Sequence, residues 1–231
     1  MHDRDDLNDS GEFPDPDYEA DAPGHDAIMT LAVFAEGGLA PASLVLGWML
    51  NHPPLRRFSW DFPQAMTGAL LAIPLAGFLI IALRWPRFLF VGLRRLFDDE
   101  FVPLLGNSTW DDLALIAVAT GVGQEMLFRG VFQQTLMDLL GEGWGIVLAS
   151  LLFGVLHPIS ISYALMTFGV GLYLGTVYAV SGNLLTSITC NITYVFILMS
   201  SLVHPGDPNR PRRNPITAIE DDRSIDDHDA R

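Results

Sequence analysis

MTGALLAIPLAGFLIIAL, Met66 to Leu83, runs for 18 residues without one charged side chain. A helix crossing a bilayer needs about 20 mainly apolar residues. Water is absent from the hydrocarbon core, so each backbone N–H and C=O must be satisfied within the segment itself. This stretch meets that demand and is the cleanest of a set. Ala27–Leu50 precedes it, interrupted by Glu36 and Pro41. Asp112–Leu140, Trp144–Leu156, Tyr163–Val180 and Leu184–Val203 follow, with very short connections that favour antiparallel neighbours. Trp144–Leu156 is short for a span and requires tilt, burial or help from its flanks. The expected fold is an all-α polytopic membrane bundle of about six transmembrane helices, with the membrane domain over residues 27–206.

Half of the 231 residues are hydrophobic and the mean hydropathy is +0.31, yet the formal net charge is −14. The two coexist because the charge lies apart from the apolar mass. Residues 1–26 hold ten of the 27 acids and one base, Arg4; from Asp207 onward there are seven acids and five arginines. These tails, 1–26 and 207–231, are expected to be disordered, and acidic tails disfavour nucleic acid as a partner. A single cysteine, Cys190, leaves no disulfide framework or zinc knuckle. The acidic N-terminus lacks the positive n-region of a cleaved signal peptide.

Between the second and third spans, RFLFVGLRRLF (Arg87 to Phe97) interleaves aromatics with arginines, as in a segment lying at the membrane interface. Ser108 with Asp111, or Thr109 with Asp112, forms a capping-box start for the third span, and Gly141 is a stop for it. The arginine clusters at Arg56–Arg57, Arg84–Arg95 and Arg210–Arg213 fall on more than one side of a six-span count, which leaves the orientation open.

The third span carries GQEMLFRG, Gly123 to Gly130. An ionisable residue at the centre of a membrane helix costs about 3 kcal/mol, so such residues are paired or functional. Glu125 and Arg129 are four apart and share a helix face, where they can form an ion pair. Alone, that pair reads equally as a staple for the bundle. Gln124 and Phe128 form the adjacent row. In SLLFGVLHP, Ser150 to Pro158, Phe153 and His157 repeat the spacing, and His157 precedes a proline near a helix end. A lone histidine there also reads as a hydrogen-bonded core residue. FGVGLYLG sets Gly171 and Gly175 at the spacing of close helix packing. Asn191 lies inside the last apolar span, where a buried amide can simply bond a neighbouring helix.

In this order the motifs resemble the CPBP (Abi) family, intramembrane proteases related to CAAX prenyl endopeptidases and bacteriocin-processing proteins. GQEMLFRGVFQ looks like the family's EExxxR segment and LLFGVLHP like its FxxxH segment. The likeness runs from about residue 112 to 196. It implies an integral protein of the bacterial cytoplasmic membrane, with the bilayer as partner and a membrane-associated or prenylated peptide as substrate. It further implies a glutamate and two histidines around a water, with an Asn or Asp nearby, and a divalent metal such as zinc as an optional cofactor. On this chain the first glutamate falls on Gln124, the second on Glu125, the arginine on Arg129 and the first histidine on His157. Phe128, Phe153, Gly171 and Gly175 are motif positions, and the final HxxxN or HxxxD pair falls on Asn191 and Val195.

Three of these positions depart from the family. A carboxamide at Gln124 has no basic lone pair for proton abstraction, Asn191 cannot shuttle a proton near neutral pH as histidine does, and Val195 is apolar. Hydrolytic zinc usually takes three protein ligands. Only Glu125 and His157 remain, so the substitutions disfavour a metal. Two functional classes follow. The substitutions favour a weakly active or inactive relative, a pseudoprotease with a binding or scaffold role. The alternative is a divergent active endopeptidase in which Glu125 turns inward as base and His157 assists. A small transporter fits less well, because the polar residues cluster in one half of the chain instead of recurring in two.

Overall fold

A computed structural model describes residues 25–106 and 108–203. The two charged tails fall outside the described residues, apart from His25 and Asp26. All regular structure among those residues is helical, and no strand is present. α1 (His25–Gly37) and α2 (Leu39–Met49) meet at Gly38. α3 (Phe62–Arg84) follows, then α4 (Leu89–Leu96), a π-helical turn (Phe97–Phe101) and α5 (Val102–Leu105). α6 (Trp110–Leu127) continues through a second π-helical segment (Phe128–Gln133) into α7 (Gln134–Leu140). α8 (Glu142–Val155), α9 (Ile161–Ser181) and α10 (Leu184–Leu202) complete the chain.

Five stretches are long and apolar enough to cross a membrane: Met29–Met49, Phe62–Arg84, Trp110–Leu140, Ile161–Ser181 and Leu184–Leu202. The expected count of about six needs one adjustment. The fourth expected span is α8, whose 14 residues reach about 21 Å at 1.5 Å per residue, against roughly 30 Å of hydrocarbon. It survives by leaning along α9, against which it packs extensively.

α10 is the central post, packed on α3, α6 and α9, while α1 and α2 lie against α6. Ala72, Leu75, Ala76 and Leu79 of α3 meet Cys190, Tyr194, Val195 and Leu198 of α10 in the main apolar core. The outer faces are apolar as well: Leu70, Ile73, Phe78 and Ile81 of α3, Leu151 and Val155 of α8 and Val180 of α9 are exposed. In water such a surface would drive association; in lipid it matches the solvent. All five tryptophans (Trp48, Trp60, Trp85, Trp110 and Trp144) sit exposed at or next to helix ends, where interfacial aromatics anchor a bundle.

Local signals explain the boundaries. Of the two possible capping boxes, Thr109 with Asp112 forms: the Thr109 hydroxyl accepts from Asp112 N–H, and Asp112 Oδ2 accepts from Thr109 N–H at 2.8 Å. Gly141, at φ 87°, separates α7 from α8. The Arg87–Phe97 segment breaks from α3 at Phe88 (φ 51°) and folds as α4, with Leu93 and Phe97 buried and Arg95 outward.

Two connections are tied by one residue. Asn183 caps α10 by accepting from Leu185 N–H at 3.0 Å, and its amide donates to Ser59 O at 3.0 Å and Ser59 Oγ at 2.9 Å. Replacing Asn183 by Ala removes a cap worth about 1 kcal/mol and buried hydrogen bonds worth about 1 kcal/mol each. The Asn183→Ala protein should therefore lose about 2–3 kcal/mol of stability. A detergent melting curve that coincides with the wild type would show that this joint carries no weight.

Candidate functional site

The polar residues of the third span divide between two faces of one helix. Glu125 faces the core and is fully buried. Its Oε1 lies 3.1 Å from Arg129 Nη1 and accepts a 2.9 Å hydrogen bond from Asn191 Nδ2 of α10. Arg129, also buried, donates through Nη2 to Gly171 O of α9 at 3.0 Å, and its guanidinium lies 5.0 Å from the centroid of the Phe153 ring. One turn later Gln133 Nε2 donates to Gly175 O at 2.9 Å. Thus two side chains four residues apart meet two carbonyls four residues apart. Glycine leaves room at both positions: a Cβ on Gly171 would stand 3.0 Å from Ser150 Cβ of α8, and one on Gly175 would press on the end of the Gln133 side chain, 2.8 Å from its Oε1. Arg129 and Gln133 both belong to the π-helical segment, a local geometry often found at functional sites.

Gln124 faces the other way. Its Nε2 donates at 3.0 Å to Oε2 of Glu36 on α1. Both line a cavity of about 270 Å³ together with Thr120, Phe153, His157, Tyr163, Thr167, Tyr194 and Val195. Its remaining walls are apolar, among them Met29, Phe101, Leu105 and Leu198. Glu125, Arg129 and Asn191 do not line it. The structure therefore brings Gln124, His157, Phe153 and Val195 to one chamber and places Glu125, Arg129 and Asn191 in the adjacent dry core. Phe128 packs edge-on against Phe153 at 4.8 Å between ring centroids, joining the two.

His157 is held from behind. Its Nδ1 lies 2.6 Å from Phe153 O. A carbonyl only accepts, so Nδ1 carries the proton, and the lone pair of the neutral ring resides on Nε2. The Phe153 ring supports the imidazole at 4.6 Å between centroids.

Glu36 is the residue that motif spacing could not supply. In sequence it only interrupts the first apolar span, far from every motif. The usable signal was the interruption itself, since an acid in a membrane helix requires an explanation. Its position depends on Gly123, the first residue of GQEMLFRG: a Cβ there would run into the Glu36 carbonyl oxygen. Glycine lets the α1 backbone lie directly on α6.

A larger and more open groove, about 770 Å³, runs between α3, α9 and α10 past Asp61, Gln64, Tyr173 and Thr186. It contains none of the motif residues, and Asp61 is engaged there in capping α3, so the smaller cavity is the candidate site. Among the described residues no three His, Cys, Asp or Glu side chains converge, whereas hydrolytic zinc sites usually use three protein ligands.

Removing one member of a buried ion pair leaves a charge without compensation, at a cost of about 3–5 kcal/mol. Arg129→Ala also deletes the bond to Gly171 and the contact with Phe153. The variant should melt well below the wild type in detergent, and unchanged melting would mean that the Glu125–Arg129 pair does not hold the bundle.

With the geometry in place, the comparisons with known proteins bear on one segment. The family model for type II CAAX prenyl endopeptidase Rce1-like proteins matches residues 106–197. No curated protein and no solved structure matches the chain. The matched segment runs from just before α6 into α10 and contains every motif position discussed above, so over this segment the chain is similar to the CPBP/CAAX-protease family of membrane proteins.

Proposed function

We propose that this integral membrane protein is a divergent intramembrane endopeptidase, and that the chamber between α1, α6, α8, α9 and α10 receives a membrane-associated or prenylated peptide. We take the bacterial cytoplasmic membrane as its location. One observation carries the reading: the same chamber is lined by a carboxylate, Glu36, and an oriented imidazole, His157, among largely apolar walls. Hydrolysis of an amide needs a proton acceptor beside a water and donors where negative charge develops. The Tyr163 and Tyr194 side chains and Thr120 line the same chamber. The apolar walls suit a lipid-like or transmembrane portion of the substrate. Glu125 is spent on Arg129 and Asn191 and is treated as structural.

A second reading, an inactive relative that only binds such peptides, draws on a separate observation. The buried glutamate of the motif is sealed from the chamber, and neither Asn191 nor Val195 supplies a second imidazole.

The test uses the purified full chain in detergent with two probes, a farnesylated CAAX peptide and an unprenylated transmembrane peptide, followed by mass spectrometry. Cleavage of either probe is expected, with a loss of about 10²-fold or more in His157→Ala, the usual size of a proton-transfer contribution. Intact probes, or equal turnover in the His157→Ala protein, would sink the endopeptidase reading. Retention of a probe without cleavage would favour the binding role.

A further inference from the structure

We infer that Glu36, on α1 and outside the matched segment, is the general base, standing in for the acid that Gln124 lacks; this rests on the endopeptidase reading. Three observations converge on it. Glu36 lines the chamber with His157. No cation pairs with it among the described residues, where the ion pairs are His52–Asp138, Arg94–Asp98 and Glu125–Arg129. Its charge is therefore not spent on the fold as that of Glu125 is. A carboxylate placed in an apolar span without a cation is costly and marks a functional position.

The third observation is the hydrogen bond from Gln124. By donating to Oε2 at 3.0 Å, the amide fixes the carboxylate and leaves Oε1 as the acceptor for a water. Gly123, one residue earlier, admits the α1 backbone at Glu36. The pair of residues at the start of the motif thus acts as a socket for an acid supplied by another helix.

The step balances. A water donates one hydrogen bond to Glu36 Oε1 and the other to His157 Nε2, leaving an oxygen lone pair free. That oxygen attacks the scissile carbonyl carbon: a C–O bond forms, the carbonyl π pair moves to oxygen, and the proton passes to Glu36. Hydroxyl groups in the chamber, such as those of Tyr163 and Tyr194, are the available donors for the oxyanion. On collapse the C–N bond breaks, and the departing amine takes the proton from Glu36. The carboxylate is restored.

The experiment compares four full-length proteins: wild type, Glu36→Gln, Gln124→Glu, and the exchange variant Glu36→Gln with Gln124→Glu. Glu36→Gln keeps an amide able to bond Gln124, so its melting temperature should stay near the wild type while turnover of the cleaved probe falls at least about 100-fold. The exchange variant moves the acid across the same hydrogen bond and should recover at least tenfold over Glu36→Gln. A readout free of turnover runs beside it: dicyclohexylcarbodiimide, an apolar carboxyl reagent, should label Glu36 through the chamber and leave the sealed Glu125 unmodified. If the wild type cleaves and Glu36→Gln cleaves equally well, the base assignment falls while the endopeptidase reading stands. Labelling of Glu125 in place of Glu36 also overturns the assignment. A silent wild type overturns both, and turnover gained only in Gln124→Glu would show that the chamber is competent but that Glu36 does not serve it.

Discussion

A carboxylate in a dry interior cannot be left to itself, and the centre of this bundle is arranged around that demand. Glu125 is fully buried, and its Oε1 gathers Arg129 from its own helix and Asn191 from α10. Arg129 in turn must place its remaining donors, and it reaches the Gly171 carbonyl on α9. Gln133 repeats the contact one turn along at Gly175. Three helices are thereby fixed against one another by polar groups, in a medium where apolar packing alone gives little preference for one neighbour over another. Phe153 lies against both the Arg129 guanidinium and the imidazole of His157, so the same pair also steadies the wall of the chamber.

The consequence for chemistry is a division of labour between adjacent residues. Glu125 and Gln124 are consecutive, so on a helix they point about 100° apart. One enters the structural core and the other the chamber. A motif read as two acids side by side has here become one structural acid and one amide. The amide is a poor base, but it is a good donor, and it holds a carboxylate brought from α1. The substitution that argues against activity when read along the chain acquires a partner when read in space.

Much of the fold was legible in the residues. Spans were visible because backbone groups in lipid force long apolar helices, and Thr109 with Asp112 announced the start of α6 through capping chemistry. The short α8 was visible as an anomaly, though its support by α9 was not. The site was legible only in part. His157 and Gln124 could be marked from spacing, since both lie within local motifs. Glu36 could not, because it is 88 residues from Gln124 and no local period connects them. Nor could the sequence decide which of Gln124 and Glu125 faces the chamber, because that depends on how α6 is rotated against α1 and α10.

By itself, then, the sequence determined a helical membrane protein, the family likeness, and an ion pair between Glu125 and Arg129. Those follow from local rules: hydropathy over a span, residue order within a motif, and spacing of four along a helix. Only the tertiary structure decided that the pair is sealed away from the cavity and that α1 contributes the cavity's carboxylate. Both depend on helix rotation and close approach, set by glycines and by the partners that buried polar groups find on other helices.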